Sequence, residues 1–295
     1  MPNPVLTPAT TPDGMFDMAA APMRIAAVEL RVRDLAVMSA FYRAVIGLEE
    51  LERAPGAAGL GAGGRVLLRL HEDRAFTPLD PRQAGLYHTA FLLPTRADLG
   101  RWLVHAAALG ATLQGASDHL VSEALYLADP EGNGIEIYAD RPLALWQAPP
   151  GAVRMASEAL DLKALMAEAA GTSWQGFPAQ GCIGHVHLQA GDLAAADGFF
   201  REVLGFDIAT RYPGASFYGS GGYHHQLAAN IWHSRGAGPR PGGMSGLKSV
   251  EIAVTDHTLL ARIAAAAGDA AGREGAALIL RDPWGSVFRL VAEGG

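Results

Sequence analysis

The chain has 295 residues, 49% hydrophobic and 18% charged, with a formal net charge of -7 and a single cysteine, Cys182. That length suggests two domains, each able to bury its own core. One cysteine excludes an internal disulfide and a multi-cysteine zinc site, so a cytoplasmic protein is expected. The 23 basic residues are spread without a run among 30 acidic ones, which argues against nucleic acid as a partner. The apolar stretches fall far short of the ~20 residues a membrane span needs.

Residues 1–23 are Pro/Thr-rich, with no basic region before an apolar core. They are expected to form a disordered arm rather than a signal segment. Residues 27–48, AVELRVRDLAVMSAFYRAVIGL, open with strand alternation and continue as an amphipathic helix from Asp34 to Gly47. The Asp suits an N-cap, where its carboxylate accepts orphan amide hydrogens, and the Gly suits the left-handed residue that ends a helix. Residues 87–110 again give a strand, a helix and a terminal Gly. Residues 128–140, ADPEGNGIEIYAD, form an Asp-Pro-x-Gly turn feeding an alternating strand, with Asp129 as turn former.

Residues 141–181 leave through a Pro-rich segment and carry one helical pattern, as expected of a linker with a packed helix. Then the pattern repeats. HVHLQAGDLAAADGFFREVLGF at 185–206 matches 27–48 without gaps, with Asp192 and Gly205 in the capping positions. Residues 248–268 match 87–110, and RDPWGSVFRLVAE at 281–293 matches 128–140. The expected fold is therefore α+β, with four βαβββ modules at 24–75, 84–140, 182–234 and 247–293. Modules one and two make an N-terminal domain (24–140), and modules three and four a C-terminal one (182–295).

Five of the ten histidines fall in GHVHL (His185, His187) and GGYHHQLAANIWH (His224, His225, His233). Side chains two apart on a strand share a face, so His185 and His187 point the same way. Comparison across the repeat selects further. His185 stands where module one has Ala27, His88 where module four has Ser249, and Glu136, between Ile135 and Ile137, where module four has Arg289. Two imidazoles and one carboxylate make the facial triad that binds Fe(II) or a similar ion and leaves positions open for substrate and dioxygen.

The repeated module, the helices DLAVMSAFYRAVIGL and DLAAADGFFREVLGF, and the DPEGNGIEIYADRP ending resemble the vicinal oxygen chelate proteins. That superfamily includes glyoxalase I, fosfomycin and bleomycin resistance proteins, and extradiol dioxygenases. With GHVHL, GGYHHQLAANIW and SDHLVSEALYLADPEGNGIEIY, the chain most resembles the bacterial catechol 2,3-dioxygenase branch. The resemblance implies ring cleavage of a catechol-like diol by dioxygen at non-haem Fe(II), with Mn(II) as the other metal. A homo-oligomer is left open.

In the resembling two-domain enzymes the ligands come from modules three and four, and Ser249 and Arg289 cannot supply them. If modules two and three instead close one half-barrel, and one and four the other, then His88, Glu136 and His185 meet in a single cup. The resemblance also implies an acid/base His before the last strand of the module that gives the first ligand. Its match is His224 or His225, with His225 favoured because Tyr223, His225 and Leu227 alternate onto one face. Tyr126, ten residues before Glu136, matches the family's site tyrosine, and His119 is a third hydrogen-bonding candidate. His71, His105, His233 and His257 are expected to be inert. A glyoxalase-like isomerase or lyase is the alternative; it would take a fourth ligand, for which Gln226 and Asn230 are the candidates. A metal-free binding or resistance protein would need only the cup.

Overall fold

The computed structural model describes residues 8–146, 153–169 and 171–293. Module one comprises β1 (Met23–Val32), α1 (Leu35–Phe41), β2 (Glu49–Ala54), β3 (Ala57–Ala62) and β4 (Arg65–Glu72). Module two comprises β5 (Gly85–Leu93), α2 (Arg96–Ala108), β6 (Gly115–Asp118), β7 (Ser122–Ala128) and β8 (Gly134–Asp140). After α3 (Leu162–Glu168), module three runs through β9 (Cys182–Gln189), α4 (Leu193–Asp197), β10 (Asp207–Tyr212), β11 (Ala215–Gly219) and β12 (Leu227–Asn230). Module four has β13 (Gly246–Val254), α5 (His257–Ala267), β14 (Gly272–Glu274), β15 (Ala277–Arg281) and β16 (Val287–Ala292).

The capping residues act as their chemistry dictates. Asp34 accepts from the Val37 amide at 3.0 Å and Asp192 from the Ala195 amide at 2.8 Å. Both helices then widen into a π-helical stretch, Tyr42–Ile46 and Gly198–Val203, a feature the apolar periodicity does not reveal. Gly47 (φ 86°) and Gly205 (φ 82°) turn the chain out of these segments in the left-handed region.

The sixteen strands form two eight-stranded sheets, ordered β14-β15-β16-β13-β1-β4-β3-β2 and β10-β11-β12-β9-β5-β8-β7-β6. Modules one and four build the first sheet, and modules two and three the second. The segments 24–140 and 182–295 therefore each contribute one module to each sheet. At the centre of each sheet two first strands pair antiparallel, β1 with β13 and β5 with β9. Each first strand also pairs in parallel with the last strand of its own module. Alternation divides the side chains: Val28, Leu30, Ile135, Ile137, Val186 and Leu188 join one apolar core with the helices, and their polar neighbours face the opposite way.

The first 23 residues do not match the expected disordered arm. Residues 1–7 lie outside the described residues, but from Pro8 onward the segment is folded against the molecule. Asp17 caps a short 3-10 turn, Met18–Ala20, and Phe16 is buried against Trp146 and Tyr223, with ring centroids 6.1 and 4.8 Å away. One buried aromatic ring outweighs the Pro/Thr-rich composition around it.

In the sheet of modules one and four, the positions matching the ligands hold Ala27, Ser249 and Arg289, surrounded by ion pairs. Glu29 Oε2 lies 2.9 Å from His71 Nε2 and 2.8 Å from Lys248 Nζ, and Arg289 pairs with Glu274. His71, expected to be inert, thus has a structural partner. His105 has one too: its Nε2 is 2.8 Å from the Ala44 carbonyl oxygen.

Candidate metal centre and active site

The polar face of the second sheet is where the site forms. On β8 the alternation that sends Ile135, Ile137 and Ala139 into the core sends Glu136, Tyr138 and Asp140 to the other side. The register between β5 and β9 slips at Leu86/His88 and again at Ala90/Phe91. The first slip brings the adjacent Tyr87 and His88 onto one cavity wall. Gly184 sits at the second. A Cβ there would lie 1.7 Å from the Tyr138 hydroxyl oxygen, so only glycine lets that tyrosine cross beneath His185.

His88, Glu136 and His185 converge. Glu136 Oε2 is 3.0 Å from His88 Nε2 and 3.1 Å from His185 Nε2, and the two ring nitrogens are 3.3 Å apart. Three ligands at neighbouring corners of an octahedron, each ~2.1 Å from an ion, would stand about 3.0 Å apart, so this spacing fits a shared metal. All three side chains are buried. Burial pushes the His185 imidazole down to about 4, which keeps it neutral with a lone pair to donate. Burial alone would raise Glu136, but the His185 and His88 rings beside it hold its carboxyl well below the usual range.

The fourth position related to these by the repeat is empty of donors. Ala90, two residues after His88, pairs with Glu136, and His187, two after His185, pairs with Ala228. Module three therefore presents a buried methyl group where module two presents its carboxylate. Gln226 and Asn230 are occupied elsewhere: Gln226 accepts from the Ser220 amide at 2.6 Å and donates to the Ser220 carbonyl at 3.1 Å, and Asn230 Nδ2 is 3.0 Å from His187 Nε2.

The triad lines a cavity of about 400 Å³, walled in part by Tyr87, Ile135, Met155, Phe217 and Trp232. Tyr126, His119, His187 and His225 also line it. Tyr126 is opposite Glu136 across the β7–β8 pair, and burial, with the Glu136 charge nearby, pushes its phenol well above its usual value. His119 Nδ1 lies 2.6 Å from the Ala156 carbonyl oxygen, which can only accept, so Nδ1 carries the proton. His119 Nε2, 2.6 Å from the Tyr126 hydroxyl, then accepts from it.

The adjacent histidines take different places. His225 lines the cavity, its ring centroid 4.1 Å from that of His185, and burial drives its pKa well below the imidazole range. His224 lies behind it, fully buried, with Nε2 2.8 Å from Asp140 Oδ1. The expected reason for preferring His225 does not hold: residues 220–226 are a turn, and β12 starts only at Leu227. The hydrogen bond to Asp140 draws His224 away from the cavity instead. His233 and His257 are not among the cavity-lining residues. Sequence reasoning missed Tyr87, Phe217 and Trp232 as walls, and Asp140 behind the site. The alternation of β8 could have signalled Asp140, which shares a face with Glu136.

The family model for the Glyoxalase/Bleomycin resistance protein/Dioxygenase superfamily matches residues 24–137 and 182–290. A catechol-2,3-dioxygenase of Bacillus subtilis (strain 168) is 45% identical over 224 residues, 74% of this chain and 78% of that protein. Biphenyl-2,3-diol 1,2-dioxygenase 3 of Rhodococcus globerulus is 29% identical over 120 residues, 40% of this chain and 63% of its own length. A solved structure of a glyoxalase I variant from Zea mays shares the fold, with a TM-score of 0.57 at 15% identity, covering 93% of this chain and 95% of that one. The chain therefore belongs to the Glyoxalase/Bleomycin resistance protein/Dioxygenase superfamily, and within it to the extradiol-type dioxygenases.

Proposed function

We propose that the protein opens the ring of a catechol-like aromatic diol with dioxygen, using Fe(II) held by His88, Glu136 and His185. The observation that carries this reading is the meeting of those three groups, at ligand spacing, in a cavity that also presents His225 and Tyr126. A ferrous ion there would supply adjacent coordination positions for the two diol oxygens and dioxygen, and a route for electrons between them. Mn(II) suits the same donors. The buried methyl of Ala228 favours this reading over a glyoxalase-like isomerase with a second carboxylate ligand, because it leaves that side of the site open.

The chain's own groups then divide the work. His225, neutral and buried beside His185, takes the proton of a diol hydroxyl and returns it as the ring opens. Tyr126 stays a phenol and gives its proton in a hydrogen bond, to His119 at rest and to a substrate oxygen when one arrives. The apolar and aromatic walls, Tyr87, Ile135, Phe217 and Trp232 among them, pack the ring and exclude water. Both atoms of the consumed dioxygen end in the ring-opened acid.

The test is oxygen uptake by anaerobically purified, Fe(II)-reconstituted protein with a panel of catechols. Stoichiometric uptake with loss of the aromatic absorbance supports the reading. Failure to bind Fe(II) or Mn(II), or no uptake with any diol, overturns it.

A further inference from the structure

Behind the cavity a line of hydrogen bonds runs from the β8 strand to His225. Asp140 Oδ2 accepts from the Tyr223 hydroxyl at 2.9 Å, and Asp140 Oδ1 lies 2.8 Å from His224 Nε2. His224 Nδ1 lies 2.9 Å from His225 Nδ1. Tyr138 and Tyr223 meet through their hydroxyls at 2.8 Å. None of the described residues bonds the remaining nitrogen of His225, Nε2, and its ring lines the cavity.

Donors and acceptors fix where each proton sits. An ionised carboxylate can only accept, so His224 carries its proton on Nε2. With both imidazoles neutral, each has one donor and one acceptor, so His224 Nδ1 accepts and the hydrogen bond to His225 places a proton on His225 Nδ1. The same bookkeeping makes Tyr138 the donor to Tyr223, whose own proton is given to Asp140. His224 is fully buried between the rings of Tyr223 and Trp146, at centroid distances of 4.0 and 4.9 Å, so water does not compete for these bonds.

We propose that Asp140 and His224 are positioning residues that hold His225 as the Nδ1–H tautomer, with the lone pair of Nε2 turned to the cavity. In the other tautomer Nε2 would carry a proton and could not accept one from a bound hydroxyl. One face of β8 thus supplies both the carboxylate of the triad, Glu136, and, four residues on, the carboxylate that orients the base. The catalytic importance of this arrangement rests on the diol-cleavage reading; the tautomer itself does not.

The experiment is a long-range proton–nitrogen correlation spectrum of the full chain, labelled with 15N-histidine and loaded with diamagnetic Zn(II). Signals of His225 are assigned by their loss in His225→Gln. The expected result is a His225 protonated at Nδ1 in the wild type, with mixed tautomers in Asp140→Asn. In the Fe(II)-loaded enzyme, Asp140→Asn should lower kcat by at least about 10-fold while KM for the diol moves by less than about 3-fold. A wild-type His225 protonated at Nε2 overturns the proposal, and so does Asp140→Asn with both tautomer and kcat unchanged. The wild-type spectrum decides even if Asp140→Asn does not fold. An enzyme that turns over no diol would count against the reading of the cavity, and the spectrum would still settle the tautomer.

Discussion

The Nε2 atoms of His88 and His185 lie 3.3 Å apart although 97 residues separate the two histidines in sequence. They are brought together by the antiparallel β5–β9 pair, in which Ala90 stands opposite His185 and His88 opposite His187. The third group, Glu136, comes from the strand on the far side of β5. Under the proposed function, removing any one of the three leaves only two donors for the ion. His185→Ala and Glu136→Ala should each take bound metal from about one ion per chain to near zero after Fe(II) reconstitution, as measured by elemental analysis.

His225→Ala should behave differently. The ring contacts His185 but is not among the three converging ligand groups. Metal content should be retained while turnover falls by about 10²–10⁴-fold, the range for loss of a positioned acid/base. Oxygen uptake measured beside metal analysis on the same sample separates the two effects; unchanged turnover would remove His225 from the chemistry.

The N-terminal segment is expected to contribute to stability through one ring. Phe16 packs on Tyr223, which in turn holds Asp140. Phe16→Ala should cost about 2–3 kcal/mol in urea denaturation, somewhat below a full core phenylalanine because the site lies at the edge of the fold. Limited proteolysis should also cut the segment faster. Equal stability and equal cutting would mean that the packing contributes nothing.

Glu29 offers a pH test in the other sheet. Its hydrogen bond to His71 leads the effects that, against the penalty of burial, lower its carboxyl to about 2, and the Lys248 ammonium adds to them. A depressed carboxylate contributes stability that is present above its unfolded value and is lost as pH falls through the folded one. Glu29→Gln should therefore cost about 1–2 kcal/mol near pH 7, allowing for partial solvent screening. The gap from wild type should narrow below about pH 4.5 and close near pH 2. A gap that stays constant from pH 7 to pH 3.5 in urea titrations would contradict the ion-pair account.

Much of this was legible in the sequence, because the repeat supplied an internal comparison. The capping aspartates Asp34 and Asp192 and the glycines after the helices mark module boundaries by local chemistry alone. The three ligand-type residues stood out because their counterparts Ala27, Ser249 and Arg289 cannot do their work. Their distribution then gave the pairing of modules, since no consecutive pair could close a site. What stayed hidden depends on contacts between distant segments. Residues 220–226 are a turn, not a strand, because His224 is drawn to Asp140 and Gln226 to the backbone of Ser220. The rings that Phe16 stacks against, Trp146 and Tyr223, lie more than a hundred residues away. The hydrophobic pattern of a short window carries none of this.

The exchange of modules between sheets also orders the birth of the protein. When the ribosome has released residues up to 140, the chain already holds His88 and Glu136, yet both lie next to an open β5 edge. That edge is covered only when β9, with His185, is made. The first strand waits longer still, because β1 pairs with β13, and Met23 stands opposite Val254 near the end of synthesis. Two half-built sheets with exposed central edges are prone to mispairing, and such long-range closures are slow. Assembly of the cavity around His88, Glu136 and His185 can thus finish while the partner sheet is still incomplete, so a chain stalled after module three would carry these three groups together on half of a folded molecule.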